Sequence, residues 1–266
     1  MNLLLRPIAG TGRLAIDLWS KFGDFLLHIR RVGSLVPATV ARMPLFVKNL
    51  NISMEQMYQI GVESIPLVSI TALFLGAETV IQTKYQFRDL VPLKYLGVAV
   101  CKAIINELGP VVTSLVISGR VATAIAAEIG SMKTSEQLDA MTILSLDPVR
   151  YLIVPKTIAC VIMVPVLVVW AELVAIIGSI ITVVLALDVT LYVYLNGLRQ
   201  FFVATDLLAG VLKTSVFGFV IAMTGAYYGL IARGGAEGVG NATTRAVMTS
   251  AVLILIFDFM VASLLW

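Results

Sequence analysis

Five long apolar stretches dominate the sequence and limit the folds that it can adopt. They cover residues 60–81, 96–129, 155–187, 207–232 and 246–266. A helix needs about 20 mainly apolar residues to cross the hydrocarbon core of a bilayer. Of the 266 residues, 59% are hydrophobic and only 13% are charged. The sequence therefore predicts an all-α integral membrane protein with five transmembrane helices and no large soluble domain.

The first 50 residues predict a separate, amphipathic region at the membrane interface. Between Leu14 and Ile29 apolar residues recur at helical spacing, with charged residues on the other faces. Such a helix would lie on the membrane surface with Trp19 among the headgroups, and a helix packed against a soluble surface is the alternative. No secretory signal is expected, because charge and proline break the first apolar triplet. Residues 51–266 are predicted to form one transmembrane domain.

Lysine and arginine are distributed unevenly over the predicted connections. Most precede residue 50 or fall at 133–156 and 233–245, whereas fewer fall at 84–94 and at 199. The positive-inside rule therefore predicts a cytoplasmic N-terminus and a cytoplasmic second connection. Five spans then place the C-terminus on the opposite, periplasmic side. The formal charge of +3 is attributed to this orientation and not to nucleic-acid binding.

The connection 135–148 is too polar to enter a bilayer, yet its pattern predicts a short helix. Thr134 and Gln137 form a candidate capping box. Leu138, Met141 and Leu144 form an apolar stripe on one face of this helix. The acidic residues Glu136 and Asp139 lie on other faces. Asp147 and Pro148 should end the helix, because helical geometry is disfavoured before proline. The stripe needs a groove, either on its own bundle or on a separate protein.

Ionisable residues inside the apolar stretches would each cost roughly 2.5 to 3.5 kcal/mol if they faced lipid at mid-membrane. They are Lys102, Glu107, Arg120, Glu128, Glu172 and Asp258. We expect these side chains to face protein or water, in structural hydrogen bonds or in a transport role. Glu107 directly precedes Leu108-Gly109-Pro110, where the proline should bend the helix and form part of a cavity wall.

Small residues and cysteines in the spans predict packing. A ridge that recurs every four residues should let another helix approach closely: Ser114, Ser118, Ala122 and Ala126. Cys101 and Cys160 have no histidine or second cysteine at metal-ligand spacing, so buried packing is favoured over a disulfide or a metal site. No cofactor and no metal are predicted.

The sequence contains no G-x-x-x-x-G-K-[ST] segment, so no P-loop for ATP is predicted. We interpret the glycine-rich residues 234–240 as a flexible turn. An intramembrane hydrolase is disfavoured, because no serine or cysteine has a histidine base nearby. A secondary transporter or channel driven by an ion gradient through Glu107, Arg120 and Asp258 stays open as an alternative function.

Segment 105–156 resembles the core of the MlaE family of permeases, also called YrbE. Its sequence is INELGPVVTSLVISGRVATAIAAEIGSMKTSEQLDAMTILSLDPVRYLIVPK, in which ELGP, GR followed by AEIG, EQL and DP are the recognisable elements. NATTRAVMTSAVLILIFDF resembles the last loop and span, so the likeness covers most of residues 60–266. Two positions depart from the pattern: Asn106, where relatives are often basic, and Ala122, where glycine is common.

The resemblance implies the permease subunit of an ABC transporter that works with MCE proteins in a bacterial inner membrane. Such permeases have an N-terminal interfacial helix and five spans. They form homodimers with two ATPase subunits inside and a ring of MCE proteins outside, and a small STAS-type accessory protein is compatible with this assembly. The implied substrate is a phospholipid or another hydrophobic molecule, and the ATPase subunit hydrolyses the ATP.

The resemblance also implies two sets of functional residues. The lipid-binding candidates in the outer halves of the first two spans are Leu73, Leu75, Glu78, Gln82, Asn106 and Glu107. The connection 135–148 takes the role of a cytoplasmic coupling helix that enters a cleft of the ATPase. Its candidate contacts are Glu136, Leu138, Met141, Leu144, Asp147 and Pro148.

Overall fold

All regular structure in the described part of the chain is helical. The computed structural model describes residues 33–44, 50–87, 91–187, 189–200 and 204–265. Its helices are α1 (33–42), α2 (Leu50–Gly61), α3 (Ile65–Phe87), α4 (Leu96–Ala103), α5 (Gly109–Thr134), α6 (Gln137–Ile143), α7 (Val154–Ala186), α8 (Leu191–Gln200), α9 (Ala204–Leu230) and α10 (Gly235–Leu265). Tight 3₁₀ turns lie at Val62–Ser64 and Leu93–Tyr95, and wider π-helical turns lie at Ile104–Leu108 and Val149–Ile153.

Five continuous helical segments are long and apolar enough to cross a membrane. They are Leu50–Phe87, Leu93–Thr134, Val149–Ala186, Thr205–Leu230 and Gly235–Leu264. Each predicted span overlaps one of them and ends no more than two residues beyond it, so the prediction of an all-α membrane protein with five spans is confirmed. The interfacial helix predicted at 14–29 lies outside the described residues, and α1 has no counterpart among the predicted helices.

The fifth segment begins earlier than its apolar pattern indicates. Gly235 opens α10, so most of the predicted flexible turn at 234–240 is helical, and that prediction is wrong. Within residues 234–240 only Gly234 and Gly235 adopt positive φ, 92° and 66°, which glycine tolerates without steric cost. Two left-handed residues suffice to reverse the chain, and the other glycines then continue in the helix.

α9 lies at the centre of the bundle, where it packs against α5, α7 and α10. Within its most apolar window 56% of the residues are buried, against 17% for α10. α7 connects this group to α2 and α3. α10 is therefore peripheral and exposes a long apolar face.

Glycines bring α3 and α7 into backbone contact. A Cβ atom on Gly76 would lie 1.8 Å from the carbonyl oxygen of Ala175, and one on Gly178 would lie 2.3 Å from that of Leu73. Neither position could hold a larger side chain without separating the two helices.

The predicted small-residue ridge on α5 is confirmed, because all four of its residues are buried. Ser118 and Ser250 of α10 share a hydroxyl hydrogen bond of 2.5 Å. The carbonyl oxygen of Ala122 lies 3.1 Å from where a Cβ atom on Gly225 of α9 would be. The ridge thus packs against both helices, and the predicted burial of Cys101 and Cys160 is also confirmed.

The consecutive spans alternate in direction and give the bundle two distinct ends. One end, called the α6 end here, carries α1, α6, the start of α7 and the turn between α9 and α10. The opposite α8 end carries the start of α4, the end of α7 and α8. These ends separate the two sets of candidate residues.

Candidate transport and coupling sites

A charged cluster joins three spans in the half of the bundle nearer the α8 end. Lys213 of α9 donates from Nζ to Oε2 of Glu107 at 3.0 Å and also forms an ion pair with Asp258 of α10. The Lys213 side chain is 5% exposed, whereas that of Glu107 is 55% exposed. The cluster therefore has a buried cation and one carboxylate open to the surroundings.

Lys213 is a residue that the sequence analysis missed. It is the only charged residue in the predicted span 207–232, so the argument applied to Glu107 would also have identified it. Once the helices are packed, its ammonium group pairs with two carboxylates from different spans. That pairing offsets part of the cost of placing these groups within the bundle.

A π-helical turn positions Glu107. Residues Ile104–Leu108 form this turn just before Pro110, and the N–H group of Gly109 donates to the carbonyl of Ile104. Proline lacks an N–H group and disturbs the preceding turn, and π-helical turns of this kind are frequent at functional sites. The bend predicted here therefore appears as a local widening of the helix.

The turn contains a buried polar atom without a hydrogen bond, and a buried carboxyl group lies beside it. Oδ1 of Asn106 is buried without a hydrogen bond in the described structure. Glu172 of α7 is buried, and its Cγ atom lies 2.8 Å from where a Cβ atom on Gly109 would be. Glycine at 109 therefore leaves the space that the Glu172 side chain occupies, which makes Glu172 part of the wall behind the turn.

The six predicted lipid-binding residues do not share one surface. α3 contacts the π-helical turn that carries Asn106 and Glu107. Leu75, Glu78 and Gln82 recur at spacings of three and four and lie on one face of α3, where Glu78 and Gln82 are exposed. Leu73 instead lies on the flank that meets Gly178 of α7. The structure separates Leu73 from the other α3 candidates, because residues two apart in a helix point in nearly opposite directions.

The other ionisable residues of the second span are also paired. Lys102 forms an ion pair with Asp206, which ties α4 to α9. Nη1 of Arg120 donates to the carbonyl of Gln59 at 3.0 Å and to the hydroxyl of Ser64 at 2.5 Å. Nη2 of Arg120 donates to Oε2 of Glu63 at 2.7 Å. Arg120 thus holds the joint between α2 and α3, where a cation also suits the C-terminal end of a helix.

A second ion pair shares a cleft with Arg120. Nζ of Lys156 donates to Oε2 of Glu128 at 2.6 Å and to Oε1 of Gln56 at 2.8 Å. Both pairs line a cavity of about 200 Å³ between α2 and α5. Lys102, Glu107, Arg120 and Glu128 thus each have an ion-pair partner within the chain, which agrees with the expectation that they face protein or water.

The predicted capping box of α6 is wrong. Glu136 precedes the helix with φ at 61° and without a side-chain cap. Thr134 is still the last residue of α5, and its hydroxyl donates to the carbonyl of Ser131 at 3.1 Å. The hydroxyl therefore binds the preceding helix and does not reach the next one.

The predicted end of α6 at Asp147-Pro148 is also wrong, because the helix ends at Ile143 and Ser145 adopts a φ of 60°. Oδ1 of Asp147 accepts a hydrogen bond from the backbone N–H of Val149 at 3.0 Å. Oδ2 accepts a hydrogen bond from Nε of Arg42 at 2.6 Å. Asp147 thus caps the next helical segment and links the connection to α1.

The apolar stripe of α6 divides between its own bundle and the surroundings. Leu138 is buried, and Met141 packs against the core of the same chain. Leu144 is 71% exposed, and its neighbour Ile143, which the sequence analysis did not select, is 84% exposed. The free apolar surface of the connection therefore lies at its end and not along the whole stripe.

Comparisons with known proteins agree with this architecture. The family model for Permease MlaE matches residues 53–264. A probable ABC transporter permease protein of Rickettsia typhi is 36% identical over 264 residues, which is 99% of each chain. One of Synechocystis is 38% identical over 214 residues, 80% of this chain and 81% of its own. A chloroplastic protein of Arabidopsis thaliana named trigalactosyldiacylglycerol 1 is 32% identical over 211 residues, 79% of this chain and 60% of its own. With a family model that covers most of its length and a relative that aligns end to end, this chain belongs to the MlaE family of permeases.

Proposed function

We propose that the chain is the permease subunit of an ABC transporter that moves a phospholipid or another hydrophobic molecule across or out of a membrane. The observation that carries this proposal is the carboxylate of Glu107, which is open to the surroundings while it pairs with the buried cation Lys213. An amphiphile needs apolar walls for its chains and a few polar groups for its headgroup. The Arabidopsis relative, whose name is that of a glycolipid, supports a lipid substrate.

A separate ATPase subunit would bind at the α6 end. Ile143 and Leu144 form an exposed apolar surface there, and a partner with an apolar cleft would remove that surface from water. The lysine and arginine distribution supports a cytoplasmic location for this end in a bacterial inner membrane. The periplasmic α8 end would then face an MCE protein, and two copies of the chain would form the permease core.

The alternative of ion-gradient-driven transport would require Glu107, Arg120 and Asp258 to share one pathway. Glu107 and Asp258 converge on Lys213, whereas Arg120 bonds to Glu63. The ionisable groups thus form two local clusters and not a continuous relay, which favours the ATP-driven permease.

The lipid-binding part of the proposal predicts the same loss for two different substitutions. Glu107→Gln and Leu75→Trp should each lower phospholipid retained by the purified complex, by about tenfold if a charge-assisted contact or the pocket volume is lost. Ile70→Trp is the matched control, because Ile70 is 61% exposed and lies on a different face of α3. Lipid extraction followed by mass spectrometry measures the retained amount. Equal retention in all the variants would contradict the assignment.

A further inference from the structure

The turn between α9 and α10 holds Arg233 at the α6 end of the bundle. Gly234 and Gly235 reverse the chain directly after it. A Cβ atom on Gly238 would lie 1.7 Å from the carbonyl oxygen of Arg233, so the first turn of α10 closes on the Arg233 backbone. The position of this arginine is therefore fixed by the helix that follows.

Arg233 shares a cavity with a second arginine. The cavity has a volume of about 230 Å³, and its lining includes Tyr228, Arg233, Asn241 and Arg245 but no acidic residue. Both arginines are exposed. Within the described ranges neither makes an ion pair or a side-chain hydrogen bond, whereas three other cations of this end pair with carboxylates: Arg42, Lys133 and Lys156. Among the described residues, the cavity therefore carries two positive charges and no counter-charge in its lining.

An exposed apolar face continues from Arg245 along α10. Met248, Val252 and Phe259 follow at helical spacing on the side of Arg245, and they are 56%, 57% and 74% exposed. From Met248 to Phe259 this face is about 17 Å long at 1.5 Å per residue. Half of a hydrocarbon core of about 30 Å is of similar length. A cationic cleft thus stands at one end of an apolar surface with the length of a lipid chain.

We propose that Arg233 and Arg245 bind the phosphate of an anionic phospholipid whose acyl chains lie along this face of α10. Guanidinium groups bind phosphate oxygens through paired, charge-assisted hydrogen bonds. A zwitterionic lipid fits less well, because the cavity offers no carboxylate for its ammonium group. A soluble acidic peptide would leave the apolar face uncovered. The headgroup site is distinct from the Glu107–Lys213 cluster, because Arg233 and Arg245 lie at the α6 end and the cluster lies in the half of the bundle nearer the α8 end.

Native mass spectrometry of the purified complex with defined lipids tests this site. Phosphatidylglycerol should bind in preference to phosphatidylcholine of the same chain length. The double variant Arg233→Gln/Arg245→Gln should lose about tenfold or more in phosphatidylglycerol affinity, because its charge-assisted contacts are gone. Phosphatidylcholine binding should not change. Lys133→Gln is the matched control, since it removes a cation of the same end that already pairs with Asp139.

Thermal unfolding in detergent with each added lipid separates binding from folding. Phosphatidylglycerol should raise the melting temperature of the parent protein and not that of the double variant, because a ligand stabilises only the state that it binds. Equal phosphatidylglycerol affinity in parent and double variant would overturn the proposal. Stabilisation by soluble glycerol 3-phosphate equal to that by phosphatidylglycerol would also overturn the proposal, because the cleft would then be a site for a free phosphate. If the double variant lost the ATPase or the second copy from the complex while its lipid affinity stayed unchanged, the arginines would instead belong to a protein contact.

Discussion

At the scale of single residues, the most informative group is Lys213, whose burial depends on its two carboxylate partners. Sequence reasoning selected Glu107 and Asp258 but could not join them, because they are 151 positions apart and meet only through a lysine on a third helix. The cost of an ionisable group in an apolar span can be read from the sequence. The identity of its partner depends on how the helices pack.

Replacing Lys213 should destabilise the protein more than replacing an exposed lysine. Lys213→Met leaves Asp258 unpaired within the bundle and should lower the free energy of unfolding by about 3 to 5 kcal/mol. Lys133→Gln, which breaks the exposed pair with Asp139, should cost less than about 1 kcal/mol. Thermal unfolding in detergent measures both.

The double variant Lys213→Met/Asp258→Asn should recover part of the loss, because the unpaired charge is removed with its partner. A double variant no more stable than Lys213→Met would show that Asp258 does not depend on the lysine.

At the scale of helices, hydrophobic patterning predicted the five spans but not their joints. An apolar window reports burial or contact with lipid, so it located each span. The apolar pattern missed α2, which contains many polar residues and ends at the joint held by Arg120 and Glu63. It also placed the start of α10 too late. Thr134 shows why caps are harder to predict: a hydroxyl between two helices can bind either one, and here it binds α5.

Close packing of α3 on α7 predicts that the Gly76 site does not accept a methyl group. Gly76→Ala would place Cβ within 1.8 Å of the Ala175 carbonyl and should destabilise the protein by about 1 to 3 kcal/mol, as overpacked cores do. Gly119→Ala is the control, since nothing lies within 4 Å of its added Cβ. In a helix that change should be neutral or stabilising by up to about 1 kcal/mol. Equal melting temperatures for the two variants would contradict the described crossing.

At the scale of the whole molecule, the connection around α6 belongs partly to the bundle and partly to its surface. Its inner part, Leu138, is buried in the chain, and its outer part, Ile143 and Leu144, is exposed. The pair of Arg42 with Asp147 also ties α1 to this connection. Sequence periodicity could not divide the stripe in this way, because the division depends on where the chain turns at Ser145.

This division predicts opposite effects of two charge substitutions. Leu144→Glu should leave the melting temperature of the permease unchanged and reduce co-purification of the ATPase, because a charge would enter the partner's apolar cleft. Leu138→Glu should instead destabilise the permease itself, since its carboxylate would be buried without a partner. Pull-down yield and thermal unfolding of the same preparations distinguish them. Full ATPase binding by Leu144→Glu would exclude this surface from the joint.

The most direct test of the central claim is lipid movement by the reconstituted complex. The permease and its co-purifying ATPase are placed in vesicles with a fluorescent phospholipid, and transfer is followed with ATP, with a non-hydrolysable analogue or with an ion gradient alone. We predict transfer with ATP only, and a large loss of that transfer in Glu107→Gln with ATP hydrolysis retained. Transfer by the permease without the ATPase, driven by the ion gradient, would contradict the account.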